Sequence, residues 1–181
     1  MLYTGKGDDG KTKTFGCDQK ISKSSAITEA LGSVDEINSF LGIVKVRACD
    51  LGFKINDLGI DRTVEDIQQN LFIIQAELAG SDKKIREEKI RECEKLIGEI
   101  EKELPPIKTF FVSGGTELAA LFDFARTLAR RAERRVVGVV DDGQVLGKWT
   151  LVYLNRLSSL LYALARISNH YAGIKENSPI Y

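Results

Sequence analysis

Apolar residues recur at steps of three and four along most of this chain, and that spacing predicts helices. Ile27, Ala30, Leu31, Val34, Ile37, Leu41 and Val44 set the first, from about Ser25. Leu51 to Asp61, with two glycines and several polar residues, reads as a connection. Val64, Ile67, Leu71, Ile74 and Leu78 predict a second helix from near Asp61, with Asp61 as its cap. Gly80-Ser81-Asp82 is a break and the next cap. Lys83 to Leu104 is then a charged helix with Ile85, Ile90, Leu96, Ile97, Ile100 and Leu104 as its stripe, ended by Pro105-Pro106. A short stretch, Ile107 to Val112, leads into Ser113-Gly114-Gly115-Thr116, with Thr116 as N-cap of a fourth helix from Glu117 to about Val140. Asp141-Asp142-Gly143 is a turn, and a fifth helix runs from about Leu146 to Tyr171. Five helices, short links and no alternating strand signal predict an all-α, five-helix antiparallel bundle over residues 25–173. Residues 1–24, rich in Gly, Lys and Thr without helical period, form an arm ahead of it.

Composition adds limits. At 181 residues the chain suits one domain with a real core. Lys+Arg and Asp+Glu balance at 26 each, so no global field draws the protein to nucleic acid or membrane, and any anion site must come from local clustering. No apolar run reaches the roughly 18–20 residues of a membrane span. The start, Met1 to Lys6, has no apolar signal-peptide core. Cys17, Cys49 and Cys93 are odd in number and widely spaced, which fits neither a disulfide framework nor a zinc site. A reducing cytoplasm is the expected location.

Gly5-Lys6-Gly7-Asp8-Asp9-Gly10-Lys11-Thr12 matches the phosphate-binding pattern G-x-x-x-x-G-K-T letter for letter. Its context is wrong. A P-loop follows a buried strand and opens a helix, whereas only four residues precede this one and Lys13 to Ser24 is polar and aperiodic. Val136 to Val140 followed by Asp141 imitates the accompanying Mg²⁺-binding strand, but it continues a helix. The chemistry of the cluster survives. Glycines let backbone N–H groups converge on an anion, and Lys6, Lys11 and Lys13 add charge. Asp8 and Asp9 suit an anion that brings a cation with it, as a triphosphate with Mg²⁺ does. A flexible lysine-rich arm is the alternative.

Helix four carries Arg126, Arg130, Arg131, Arg134 and Arg135 with Glu133, and the first, second and fourth of these arginines share one stripe. Interleaved Ala125, Leu128, Ala129 and Ala132 put some guanidinium groups at the edge of a buried contact. Arginine at every basic position favours bidentate pairing with anions or carboxylates over simple solubility. A solvated, internally paired face is the other reading. On helix five, Asn155, Ser159, Tyr162 and Arg166 lie along a second stripe, and Asn155 needs a hydrogen-bond partner if enclosed. On helix one, Asp35 and Glu36 interrupt an apolar stretch. They are either solvated or paired with that arginine row.

These pieces occur in one order: Tyr3-Thr4-x-x-Gly7-Asp8-x-Gly10-x-Thr12, Lys23, Gly32-x-Val34-Asp35-Glu36-Ile37-Asn38-Ser39, Phe110 to Gly115, Ala125 to Arg134, and Tyr153 to Ser158. Together they resemble the PduO-type ATP:cob(I)alamin adenosyltransferase family from Tyr3 to about Asn169. The resemblance implies a homotrimer with ATP at each subunit boundary. Thr4, Gly5, Lys6, Gly7, Thr12, Lys13 and Lys23 would wrap the triphosphate. Arg130, Glu133, Arg134 and Asn155 would complete the nucleotide site, with Mg²⁺ bridging phosphates and no protein metal ligands. Asp35 would pair with Arg126 across subunits, and Phe110 would sit beside the corrin. The chain departs from the family pattern at Ser113, usually Pro, at Asp123, often His, and at Ser159, often Asp. Its arm between Gly10 and Lys23 is also slightly longer.

The implied activity moves the 5′-deoxyadenosyl group of ATP to the cobalt of cob(I)alamin, releasing triphosphate and forming adenosylcobalamin. A corrinoid reductase and an adenosylcobalamin-dependent mutase are the implied partners. A trimeric ATP- or corrinoid-binding regulator is the non-catalytic alternative. A di-metal carboxylate bundle shares the architecture but needs Glu-x-x-His pairs, and the chain has one histidine, His170.

Overall fold

The structure is a computed structural model describing residues 2–15, 19–55 and 57–180. Met1, Gly16 and Cys17, which enter the reading above, lie outside them. Five helices form as expected: α1 (Ala26–Asp50), α2 (Ile60–Leu78), α3 (Glu87–Glu103), α4 (Glu117–Asp141) and α5 (Thr150–Tyr171). Two minimal hairpins accompany them, β1 (Lys11–Thr12) with β2 (Ile21–Ser22) and β3 (Lys54–Ile55) with β4 (Leu58–Gly59). Two-residue strands leave no alternation for a sequence to display.

Three expected boundaries move. Asp61 is not the cap of α2. It lies in the first turn, where its charge suits the helix dipole, and Gly59 takes the cap position without a side-chain bond. Asp82 does not cap α3 either: the chain runs on to Arg86, with Ile85 buried outside the helix. Helix α5 begins at Thr150 rather than Leu146, because Glu77 holds the preceding loop by accepting from Gly147 N and Thr150 Oγ1. The C-terminus of α3 and the N-terminus of α4 fall where expected. Leu104, before Pro105, is extended, and Thr116 Oγ1 accepts from Ala119 N at 3.1 Å.

Helix α1 packs between α2 and α4, α4 between α1 and α5, and α3 lies against α5. The core runs through all five, and Val34, Ile37, Leu41, Leu71, Ile74, Phe122, Leu154 and Leu157 are fully buried. Small residues set the spacing of α4. Ala125, Ala129 and Ala132 are each 0% exposed, so its backbone approaches its neighbours closely. Among the described residues no helix is long and apolar enough to cross a membrane.

Two buried acids make stability pH-dependent. Burial pushes the Tyr153 phenol above its ordinary 10.0, against the hydrogen bond from Asn70. Burial likewise pushes the Cys93 thiol from 9.0 to about 12. Both are neutral when folded, so the unfolded chain ionises them first. Their contribution is complete below the unfolded values and is lost as pH rises toward the folded ones. We predict that the urea midpoint falls between neutral pH and about pH 10.5, and that Tyr153→Phe shows a smaller fall. Parallel pH profiles for the two proteins would contradict this.

Candidate functional site at the α4–α5 edge

The turn into α4 is built before the site it serves. Gly114 and Gly115 have φ of 123° and 101°, and a Cβ on Gly115 would lie 2.3 Å from Asn169 Oδ1. That oxygen accepts from Thr116 N at 2.9 Å, while Asn169 Nδ2 donates to Gly114 O at 2.8 Å. The glycine pair thus lets α5 grip the start of α4. The irregular segment from Pro105 to Ser113 is thereby laid across the gap between the two helices.

Beneath that segment is a cleft of about 600 Å³, lined by residues 107–111 and 113, by Asp123, Arg126 and Arg130 of α4, and by Ser158, Ser159 and Tyr162 of α5. Phe110, on the segment, is 79% exposed. A phenylalanine so placed is not core. It stands on the rim of an apolar-walled cleft with guanidinium groups opposite. Arg126 is held by Asp123, 3.3 Å away, and lies 5.9 Å from the centre of the Tyr162 ring. Burial raises the pKa of Tyr162, so it faces the cleft as a neutral phenol.

One turn further along both helices, Asn155 finds the partner its position demands. Its Nδ2 donates to Glu133 Oε1 at 3.0 Å, and its Oδ1 accepts from Arg156, which also binds Glu94 at 2.8 Å. Arg134 turns back on its own helix and donates to Arg130 O at 3.0 Å. Arg130, Glu133, Arg134 and Asn155 therefore form one polar edge, continuous with the Phe110 cleft.

Arg131 and Arg135 do something different. They reach across to α1, where Arg131 pairs with Glu36 and Arg135 with Glu29. The arginine row is thus split between two edges of α4. Asp35 is exposed and accepts from Gln75 of α2 at 3.4 Å, away from Arg126. Within one chain the expected Asp35–Arg126 partners lie on different sides of the bundle.

The arm belongs to the α1–α2 side. Gly5 and Gly10 take positive φ, 65° and 74°, in two successive turns closed by Asp8 N to Gly5 O and Gly10 N to Gly7 O. Lys23 Nζ donates to Gly7 O at 2.8 Å, and Lys6 N to Thr4 Oγ1 at 3.4 Å. Lys11 and Thr12 then enter β1, followed by Lys13, so no helix follows the glycine cluster and the P-loop reading is excluded. Thr28, in the first turn of α1, fastens the arm with its hydroxyl near the Ser22 and Lys23 carbonyls. Phe15 O passes against Gly80 beyond α2.

Asp9 is engaged by Lys20 at 2.7 Å, which holds its carboxyl below the usual range together with Lys11 N. Among the described residues no group of three or more His, Cys, Asp or Glu is placed to hold a metal ion.

Phe110, Arg126 and Arg130, all named from the sequence, line this one cleft, whereas residues 107–109, which supply much of its wall, were not named as site residues. That segment has no period to betray it, and its only signal was its place between Pro106 and Gly114.

An apolar cleft bordered by guanidinium groups on an α-helical bundle has the chemistry to receive an anionic ligand with an apolar body, and the comparisons narrow the class. The family model "Cobalamin adenosyltransferase" matches residues 2–168. The corrinoid adenosyltransferase of Bacillus subtilis (strain 168) is 37% identical over 180 residues, covering 96% of this chain and 89% of that protein. The corrinoid adenosyltransferase PduO of Salmonella typhimurium is 37% identical over 183 residues, covering 96% of this chain but 52% of its own length. The chain thus spans about half of that relative. Among solved structures, a Phe-to-Ala variant of the PduO-type ATP:corrinoid adenosyltransferase from Lactobacillus reuteri, complexed with cobalamin and ATP, superimposes with a TM-score of 0.87 at 30% identity, covering 100% of both chains. An Arg-to-Lys variant of that enzyme with ATP gives 0.86, also at 30% identity, over 99% of this chain and 100% of that one. This chain belongs to the cobalamin adenosyltransferase family.

The exposure of Phe110 sets a prediction about stability. We expect Phe110→Ala to change unfolding free energy by no more than about 0.5 kcal/mol, as for other surface sites. Phe122→Ala, at a fully buried position, should cost about 3–5 kcal/mol. Chemical denaturation measures both, and a large loss at Phe110 would return it to the core.

Proposed function

We propose that the chain is an ATP:cob(I)alamin adenosyltransferase, acting as one domain over residues 1–181. It transfers the 5′-deoxyadenosyl group of ATP to cobalt and releases triphosphate. The observation that carries this reading is the Phe110 cleft continuous with the Arg130–Asn155 edge, on a fold shared end to end with an enzyme that binds cobalamin and ATP.

The chemistry asks little of acids and bases. Cob(I)alamin is a strong nucleophile, so cobalt attacks C5′, the Co–C bond forms with two electrons from cobalt, and the C5′–O bond breaks toward the triphosphate. No proton moves, and His170 has no required part. The protein's first task is to hold C5′ in line with cobalt, a matter of position worth several kcal/mol. Its second is to stabilise charge gathering on the leaving triphosphate. Arg130 and Arg134, with Lys6, Lys13 and Lys23 and the backbone N–H groups of Thr4 to Gly7 and of Thr12, are the groups for this. Mg²⁺ would arrive with the triphosphate and would share that charge. The third task concerns reduction. Cobalt(II) is easier to reduce when its lower axial ligand is gone, and Phe110 on the rim can keep that ligand and water away.

A second copy of the chain completes the site in this reading. The arm sits by α1 and α2, the cationic edge lies between α4 and α5, and a head-to-tail contact brings one against the other. Three such contacts close a ring, which is the homotrimer. Ile43, Val46 and Phe72 support the contact, each more than half exposed on α1 or α2. Asp35 on that side would then meet Arg126 of the neighbouring copy. Its expected setting is the cytoplasm, fed by a corrinoid reductase and serving an adenosylcobalamin-dependent mutase.

An anaerobic assay with ATP and cob(I)alamin tests the function: the spectrum should change as the Co–C bond forms, with stoichiometric triphosphate. Phe110→Ala should impair turnover started from cobalt(II) more than turnover from pre-reduced cobalt(I). Binding of ATP and corrinoid without triphosphate release would leave only a regulator, and equal losses in the two assays would remove the wedge role.

A further inference from the structure

The wall bearing Phe110 has an anchor that the reaction above leaves unused. Arg166 of α5 is 4% exposed, unusually deep for a guanidinium. Its Nε donates to Glu176 Oε2 at 2.9 Å and its Nη2 to Pro105 O at 3.3 Å. Its guanidinium carbon also lies 5.0 Å from the centre of the Phe111 ring. Glu176 belongs to the chain after α5. One residue on, Asn177 O accepts from Val112 N at 2.9 Å. Phe110 is therefore bracketed, by Arg166 at Pro105 and Phe111 and by the tail backbone at Val112.

Little else restrains this strip. It lies between the Phe110 cleft and a second cavity of about 400 Å³ bounded by Pro105, Phe111, Arg166 and Glu176. Residues 105–110 are exposed and outside any helix or strand. Segments with so few buried contacts open easily. A buried ion pair holds such a segment because either partner left alone is an uncompensated charge away from water.

We propose that Arg166 and Glu176 are a positioning pair: they clamp the segment after α5 onto the Pro105–Val112 wall and so set where Phe110 stands in the cleft. Neither residue touches substrate in this arrangement. The structural coupling stands on the contacts alone, and its effect on turnover rests on the function proposed above.

Hydrogen exchange on full-length wild type, Arg166→Met and Glu176→Gln, paired with turnover from cobalt(II) and from cobalt(I), tests it. In both variants the Val112 amide, which is hydrogen-bonded to Asn177 O of the tail, should exchange about tenfold faster or more, with α4 and α5 unchanged. Turnover from cobalt(II) should fall about tenfold, and from cobalt(I) by less than about threefold. Glu176→Gln added to Phe110→Ala should lose little beyond Phe110→Ala alone, because both act through one side chain. Should Arg166→Met unfold, Glu176→Gln decides. Wild-type exchange at Val112 in Glu176→Gln overturns the proposal, as does faster exchange spread through α5, equal losses from both cobalt states, or additive losses in the double variant. A wild-type protein that makes no adenosylcobalamin would refute the function, while the exchange data would still judge the clamp.

Discussion

Helix α4 carries five arginines on a rod whose buried face is rich in alanine, and the architecture follows from reconciling the two. Ala125, Ala129 and Ala132 let α1 and α5 approach closely, and all three are fully buried. A guanidinium cannot enter such a seam unpaired, so the arginines are driven to its two edges. Arg131 and Arg135 settle against the carboxylates of α1, while Arg126 and Arg130 face the cleft beside α5. The first edge is internally neutralised. The second keeps positive charge beside an apolar cavity, and that asymmetry leaves an anion-seeking surface on the α5 side of α4 rather than on its α1 side.

The arm obeys a separate constraint. Its glycines turn the backbone twice in six residues, and Lys23 closes the loop on Gly7 O. Thr28 of α1 then fastens the arm at the Ser22 and Lys23 carbonyls, and Phe15 O lies against Gly80 just beyond α2. The lysines of the arm and the arginines of the α4–α5 edge are thus carried on two parts of the chain that a single copy keeps apart. In the proposed trimer the division is useful, because each nucleotide site exists only when two folded subunits meet.

Much of the fold was visible in the chain because it rests on period and punctuation. The steps of three and four named the right helices, Pro105 ended α3, and Thr116 capped α4. What escaped notice was set by tertiary partners. Asp61 and Asp82 have the chemistry of caps, but the backbone before each helix follows a hairpin or an extended run that buries Ile60 or Ile85 instead. Helix α5 starts late because Glu77, distant in sequence, holds Gly147 and Thr150. On α4, the interleaving of alanine and arginine put some guanidinium groups at the edge of a buried contact, as Arg126 and Arg130 are. It could not say that Arg131, beside them, would belong to the other edge. Asn155 was recognisable as a side chain in need of a partner, and Glu133 was not identifiable as that partner without the antiparallel pairing of α4 and α5. The Arg166–Glu176 pair left no mark, since an ion pair between a helix and a tail has no period.

Mixing of subunits examines the central claim, that the arm of one copy and the cationic edge of the next surround one triphosphate. One variant loses the arm through Lys6→Ala with Lys23→Ala, and the other loses Arg130 by substitution with alanine. Each alone should be nearly inactive. Unfolded and refolded together in equal amounts, they should recover activity at about a quarter of the sites, the fraction in which an intact arm meets an intact edge. No recovery in a mixture shown to contain mixed trimers would contradict the claim, because a site built within one chain cannot be restored by its neighbour.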